Sequence, residues 1–180
     1  RARLTPDPRW TAHLGETPTG GGQPRPPAQP SNGGARPSGF DQWQETNVTA
    51  QRQAGYSMAT ITLPLGDLTS RQMRQLARIA EAYVGDAVRL TVEQNIVLRW
   101  VNDADLLALH SAVAAIGLAE PDASTIADIT ACPGTDTCKL GIASSRGLAG
   151  ELRAHLAELV RTHDEAVRRL HIKVSGCFNS

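Results

Sequence analysis

Three cysteines are the residues with the most chemistry to offer. Cys132 and Cys138 are separated by five residues, and Cys177 follows after 38 more. Zinc sites present ligand pairs roughly two to four residues apart, completed by further Cys or His. This chain has no second close pair, and His155, His163 and His171 lie on or beside a segment with helical periodicity. Zinc therefore fits poorly. An iron–sulfur cluster fits better, because it wants soft thiolates converging from loops to neutralise the iron charge. Pro133, Gly134 and Gly176 adjoin the cysteines. Such residues permit tight turns and close backbone approach, leaving amide N–H groups free to bond cluster sulfides. The bland alternative is three inert buried thiols. The residues themselves carry the reading as far as a metal or cluster site.

Composition narrows the classes. The 180 residues carry 18 basic and 18 acidic side chains, a formal net charge of zero. A nucleic-acid or polybasic membrane partner would need a clustered positive field, so neither is expected. No basic segment followed by an apolar run marks a signal peptide, and no apolar stretch is long enough to span a bilayer. An iron–sulfur cluster would imply a reducing cytoplasm, which agrees with three cysteines being too few and odd in number for a disulfide framework. The first residue is Arg1, which leads us to expect that the natural N-terminus lies further upstream.

The elements that must position the cysteines begin after a linker. Residues 1–40 are rich in Pro, Gly, Ser and Gln and lack periodic apolar positions, the composition of a disordered tether or tail. Tyr56 to Leu65 reads as a strand. Thr69 and Gln72 form a capping box for a helix whose Met73, Leu76, Ala77, Ile79, Ala80 and Tyr83 recur on one face. Short strands follow at Ala87–Thr91 and Ile96–Val101. A second helix starts at Asn102 or Asp103, turns Leu106, Leu107, His110, Val113 and Ile116 inward, and ends at Gly117 with Leu118 as its apolar contact. The order strand–helix–strand–strand–helix points to a ferredoxin-like α+β half-domain, with a final strand at Thr125–Thr130. Beyond it lie the Cys132–Cys138 loop, a helix with Leu148, Leu152, Leu156, Leu159 and Val160 in one stripe, and a strand at Leu170–Val174 that delivers Cys177.

At these residues the sequence resembles the sirohaem- and 4Fe–4S-dependent nitrite/sulfite reductase family. The match rests on Thr130-Ala131-Cys132-Pro133-Gly134-Thr135-Asp136-Thr137-Cys138-Lys139-Leu140-Gly141 and on Lys173-Val174-Ser175-Gly176-Cys177-Phe178-Asn179-Ser180. The family pattern is Cys-x5-Cys followed, after an interval like this one, by Cys-x3-Cys. Cys132, Cys138 and Cys177 fall in register, and the remaining thiolate would directly follow Ser180. Gly55 to Thr69 and the segment Arg89-Leu90-Thr91-Val92-Glu93-Gln94-Asn95 agree with the half-domain that precedes the cluster domain.

The resemblance implies an α+β fragment from the start of the enzyme's second repeat. Residues 41–125 would form the ferredoxin-like half-domain, and 126–180 the N-terminal part of an α/β sirohaem/iron–sulfur domain. It implies a 4Fe–4S cluster held by Cys132, Cys138 and Cys177, and sirohaem near Arg89, Thr91, Gln94, Asn95 and Asn179. Guanidinium and amide donors suit a macrocycle rich in carboxylates. For Asn179 the bland role, serving its turn, is preferred. The implied reaction is six-electron reduction of sulfite to sulfide or nitrite to ammonia, with electrons from ferredoxin or a flavoprotein. The anionic substrate would meet cations supplied largely by the first repeat, so this piece alone is expected to be inactive. Lys139 and Lys173 read as solvated, and no histidine sits at a catalytic spacing. Asn47-Val48-Thr49 fits a glycosylation sequon, discarded for want of a secretion signal. Two rivals remain: a precorrin-3B synthase-type relative, and a non-catalytic zinc or thiol module.

Overall fold

The computed structural model describes residues 36–85, 88–160, 162 and 164–179. The linker reading for residues 1–35, the turn and strand start at Asp86 and Ala87, His163, and the side chain of Leu159 lie outside them.

The chain enters through a helix α1 (Phe40–Asn47) and strands β1 (Val48–Ala50) and β2 (Tyr56–Ile61). Helix α2 (Ser70–Tyr83), strands β3 (Val88–Leu90) and β4 (Ile96–Asn102) and helix α3 (Leu106–Ala114) complete the first unit. Its four strands form an antiparallel sheet in the order β1-β2-β4-β3. The fold is α+β, a ferredoxin-like half-domain. Period-two burial builds the sheet: Ser57, Ala59 and Ile61 of β2 face the core, as do Ile96 and Leu98 of β4. The β2–β4 register shifts between Ser57 and Ala59, opposite Trp100 at φ +63. This bulge lets the Trp100 amide donate to Gln51 Oε1 at 2.8 Å.

Thr69 and Gln72 make the expected reciprocal capping box on α2. Gly117 (φ +70) closes α3 in the expected way, and the Leu118 amide reaches back to the Val113 carbonyl while its side chain is buried. Leu106, Leu109, His110 and Val113 of α3 all pack inward. Phe40 and Trp43 of α1 lie against this helix, with the His110 ring 5.4 and 5.2 Å from theirs.

Several expectations change. Strand β2 ends at Ile61, and Pro64–Gly66 forms a 3₁₀ turn with Leu65 at φ +56. Of the α2 face, only Leu76 and Ala80 are buried; Met73 and Ala77 face solvent. The fourth strand of the sheet is β1, a hairpin partner of β2, rather than Thr125–Thr130. Residues 123–128 make consecutive turns instead, locked by the Asp122 carbonyl accepting from Thr125 Oγ1 at 2.8 Å. Neither α1 nor β1 was expected.

The second unit is smaller. Strands β5 (Thr130–Ala131) and β6 (Lys173–Val174) pair in parallel. Helix α4 (Ser145–Leu159) packs over them, a short unexpected helix α5 (Glu165–Arg168) precedes β6, and the strand expected at Leu170–Val174 is confined to Lys173–Val174. Ile129, Ala131 and Ala149 form its core with Leu65, Leu152, Leu156, Ile172 and Val174 around them. Leu148, expected in this stripe, is exposed; Ala149 takes the inward position. Leu63 packs into the first core and Leu65 into the second, so the turn after β2 is shared by both.

Candidate iron–sulfur site

The parallel pair β5–β6 sets the geometry. Because Ala131 pairs with Val174, the residues that follow each strand leave the sheet side by side, and the Cys132 amide donates to the Val174 carbonyl at 3.1 Å. The cysteine loop after β5 and the turn after β6 are therefore neighbours, although Cys132 and Gly176 lie 44 positions apart in the chain.

Three glycines allow the two to touch. Gly134 begins a 3₁₀ turn, Gly134–Asp136, at φ +53. A Cβ there would collide with Ser145 Oγ and stand 2.6 Å from the Ala143 carbonyl oxygen. A Cβ on Gly141 would lie 2.5 Å from the Gly134 carbonyl carbon, and one on Gly176 would lie 2.7 Å from Gly134 Cα. All three separations are shorter than side-chain carbons tolerate, so backbone packs directly on backbone. The Gly176 carbonyl accepts from the amides of Ile142 (2.8 Å) and Ala143 (3.1 Å), fastening the turn to the loop.

The thiols sit on this scaffold. Cys132 Sγ accepts from the Gly176 amide at 3.2 Å and lies 3.3 Å from Ser145 Oγ. The Ser145 hydroxyl, the Gly176 amide and the Gly134 amide together hold the Cys132 thiol below its ordinary range, against a smaller opposing effect of burial. Donors around sulfur favour the thiolate, the form that ligates metal. Cys177 Sγ accepts from the Asn179 amide at 3.4 Å, and Cys138 is exposed. Among the described residues, no three His, Cys, Asp or Glu side chains form a group that could hold a single metal ion. A cubane asks for a different arrangement, since each iron takes its own thiolate and the sulfurs surround the cube. Soft donors on two apposed loops, amides aimed at sulfur and a glycine cradle suit such a cluster.

The other candidates divide into two groups. Arg89 is exposed on the edge strand β3, its Nη1 donating to the Val88 carbonyl at 2.8 Å, beside exposed Leu90 and Val92. Asn179 is also exposed. Thr91, Gln94 and Asn95 build the turn between β3 and β4. Thr91 Oγ1 accepts from the Asn95 amide at 3.2 Å. Gln94, at φ +65, sends its side-chain amide to the backbone of Ala131, and Asn95 is buried with Oδ1 on the Leu63 amide (2.9 Å) and Nδ2 on Asp128 Oδ2 (2.8 Å). These amides tie the half-domain to the strand that carries Cys132. Lys139 and Lys173 are exposed. Asn47 of the sequon is buried with Nδ2 donating to the Thr60 and Glu120 carbonyls, so the folded chain offers no acceptor there.

Sequence reasoning missed Ser145 and Arg146, which open α4. Arg146 donates to the Leu65 carbonyl at 3.0 Å and pairs with Asp67 and, at 3.2 Å, with Asp136, joining the shared turn to the cysteine loop. Nothing in their spacing marked them, because their partners lie up to 81 residues away.

Comparison with known proteins agrees with this layout. Residues 49–116 match the family model of the nitrite/sulfite reductase ferredoxin-like half domain. The chain is 29% identical over 133 residues to ferredoxin–nitrite reductase of Synechococcus elongatus, covering 74% of this chain and 25% of that protein. It is 29% identical over 119 residues to ferredoxin sulfite reductase 2 of Mycolicibacterium paratuberculosis, covering 64% of this chain and 21% of that protein. The structure of the NirA protein of Mycobacterium tuberculosis shares the fold, with a TM-score of 0.60 over 84% of this chain and 26% of that one, at 20% identity. The chain thus spans about a quarter of the length of these relatives.

Proposed function

We propose, for a chain that carries the ferredoxin-like half domain of the nitrite/sulfite reductase family, that residues 126–180 supply Cys132, Cys138 and Cys177 to a 4Fe–4S cluster serving six-electron reduction of nitrite or sulfite. The observation that carries the reading is the contact between two distant loops, made where the Gly176 amide meets Cys132 Sγ at 3.2 Å. Relatives named as ferredoxin-dependent nitrite and sulfite reductases support the substrate class and a ferredoxin donor.

Bound cluster and sirohaem would supply the electron transfer and the bond-breaking chemistry. The chain's own residues hold and orient. Cys132 is kept toward its thiolate by three donors. Gln94 and Asn95 fix the strand that presents it. Arg89 is exposed on the edge strand β3, and its guanidinium would suit the carboxylate arms of the macrocycle. Asn179, exposed two residues after Cys177, would offer its side-chain amide to the same macrocycle. Among the described residues no helix is long and apolar enough to cross a membrane.

The test uses the full-length protein, purified without oxygen and supplied with reduced ferredoxin. Consumption of nitrite with release of ammonia, or of sulfite with release of sulfide, is the expected result. Activity on neither anion, from protein that contains iron and sirohaem, would overturn the assignment. The 180-residue piece by itself is expected to be inactive.

A further inference from the structure

Ser145 is one of the few buried polar side chains of the second unit, 2% exposed, and the sequence gives it no role. Its hydroxyl is held between two atoms of one residue. Oγ donates to the Cys132 carbonyl oxygen at 2.7 Å and lies 3.3 Å from Cys132 Sγ. A hydroxyl has one proton to give. While Cys132 is a thiol, both contacts can be satisfied in series, with S–H donating to Oγ and O–H donating to the carbonyl. Once the sulfur is a metal-bound thiolate it has no proton, and the same 3.3 Å contact is favourable only if Ser145 turns its O–H onto sulfur.

We propose that Ser145 is a positioning residue that donates to the Cys132 thiolate when a cluster is bound, fixing that ligand's orientation and stabilising the more negative, reduced state of the cluster. The inference rests on the cluster reading above. Donors to ligand sulfur offset the negative charge gained on reduction, and such hydrogen bonds are among the factors that set cluster potentials. The Gly176 and Gly134 amides are the other donors on this sulfur, and both are fixed by the backbone; Ser145 is the one that can rotate. Ser145 Oγ lies against Gly134, close enough that a Cβ there would collide with it.

The experiment compares the full-length protein with its Ser145→Ala and Ser144→Ala variants. Ser144 is exposed and its side chain caps nothing, so it controls for the neighbouring position. Iron content, thermal unfolding and the cluster midpoint potential, followed by electron paramagnetic resonance, are measured on each. Ser145→Ala is expected to shift the midpoint to more negative values, or to lose iron while the unfolding temperature of the half-domain holds; Ser144→Ala should match the parent in all three. An Ser145→Ala protein that keeps its iron at an unchanged potential overturns the role of Ser145. A parent protein without iron and sulfide overturns the cluster reading instead, so the two failures are distinct.

Discussion

The side-chain amide of Gln94 docks on both polar groups of the Ala131 peptide, Nε2 donating to the carbonyl oxygen at 3.0 Å and Oε1 accepting from the amide at 3.3 Å. A side chain thereby extends the two-stranded sheet on the side away from β6, one residue before Cys132. Gln94 reaches this position from φ +65, where glycine is the favoured residue.

Two substitutions separate these effects. Gln94→Ala removes both hydrogen bonds and keeps the unfavourable backbone, so it should cost about 1–3 kcal/mol in denaturant unfolding. Gln94→Gly removes the same bonds but relieves the backbone, so it should be less harmful than Gln94→Ala by roughly 1 kcal/mol. Equal losses for the two would show that the left-handed conformation carries no strain.

The glycine contact makes a sharper demand. Gly134→Ala and Gly176→Ala each drive a methyl group into backbone, so neither loop can keep its place. Both variants are expected to lose iron while the first unit, whose core is separate, still unfolds cooperatively by circular dichroism. Gly55→Ala is the comparison: at φ +85 with open space around it, it should cost only about 1 kcal/mol and leave the iron content unchanged.

Asn95 faces Asp128 in the buried seam between the units. Asn95→Asp places two carboxyl groups in contact, and only one can ionise comfortably, so the pair should hold a proton to higher pH than either group does in the unfolded chain. Folded protein then binds more protons than unfolded. The variant should be markedly destabilised at neutral pH and regain stability as the pH falls. A pH-independent loss in denaturant titrations would argue against direct contact.

His110 carries the opposite sign. Burial among Phe40 and Trp43 lowers its pKa from the ordinary 6.5, so the folded state binds fewer protons than the unfolded. Its contribution is fully present above about pH 6.5 and is lost as the pH falls below that value toward the folded pKa. His110→Phe, which keeps a ring in the cluster, should flatten this part of the stability profile. The check is the difference between variant and parent from pH 7.5 down to about 5.

How much of this was legible beforehand follows from where each signal resides. The capping box at Thr69–Gln72 and the closing Gly117 are local patterns, and both appear as read. The cysteine motif announced the ligands but not their setting. What positions Cys132 is long-range: Ser145 lies 13 residues on, Gln94 lies 37 residues before Ala131, and Gly176 lies 44 residues after. No local pattern encodes such partners. Strand β1 was missed because three residues, with one of them half-buried, carry no readable alternation. The strand expected at Thr125–Thr130 was an apolar run whose buried Ile126, Ala127 and Ile129 pack from turns, where burial comes without period two.

Metal analysis tests the central claim most directly: anaerobically purified full-length protein, assayed for iron, acid-labile sulfide and zinc, beside its Cys132→Ala, Cys138→Ala and Cys177→Ala variants. Acid-labile sulfide matched by an equal amount of cluster iron in the parent, over and above the sirohaem iron, with sulfide and cluster iron lost in all three variants, is the result expected if both loops serve one cluster. Zinc without sulfide, or a cluster that survives removal of Cys177, would contradict it.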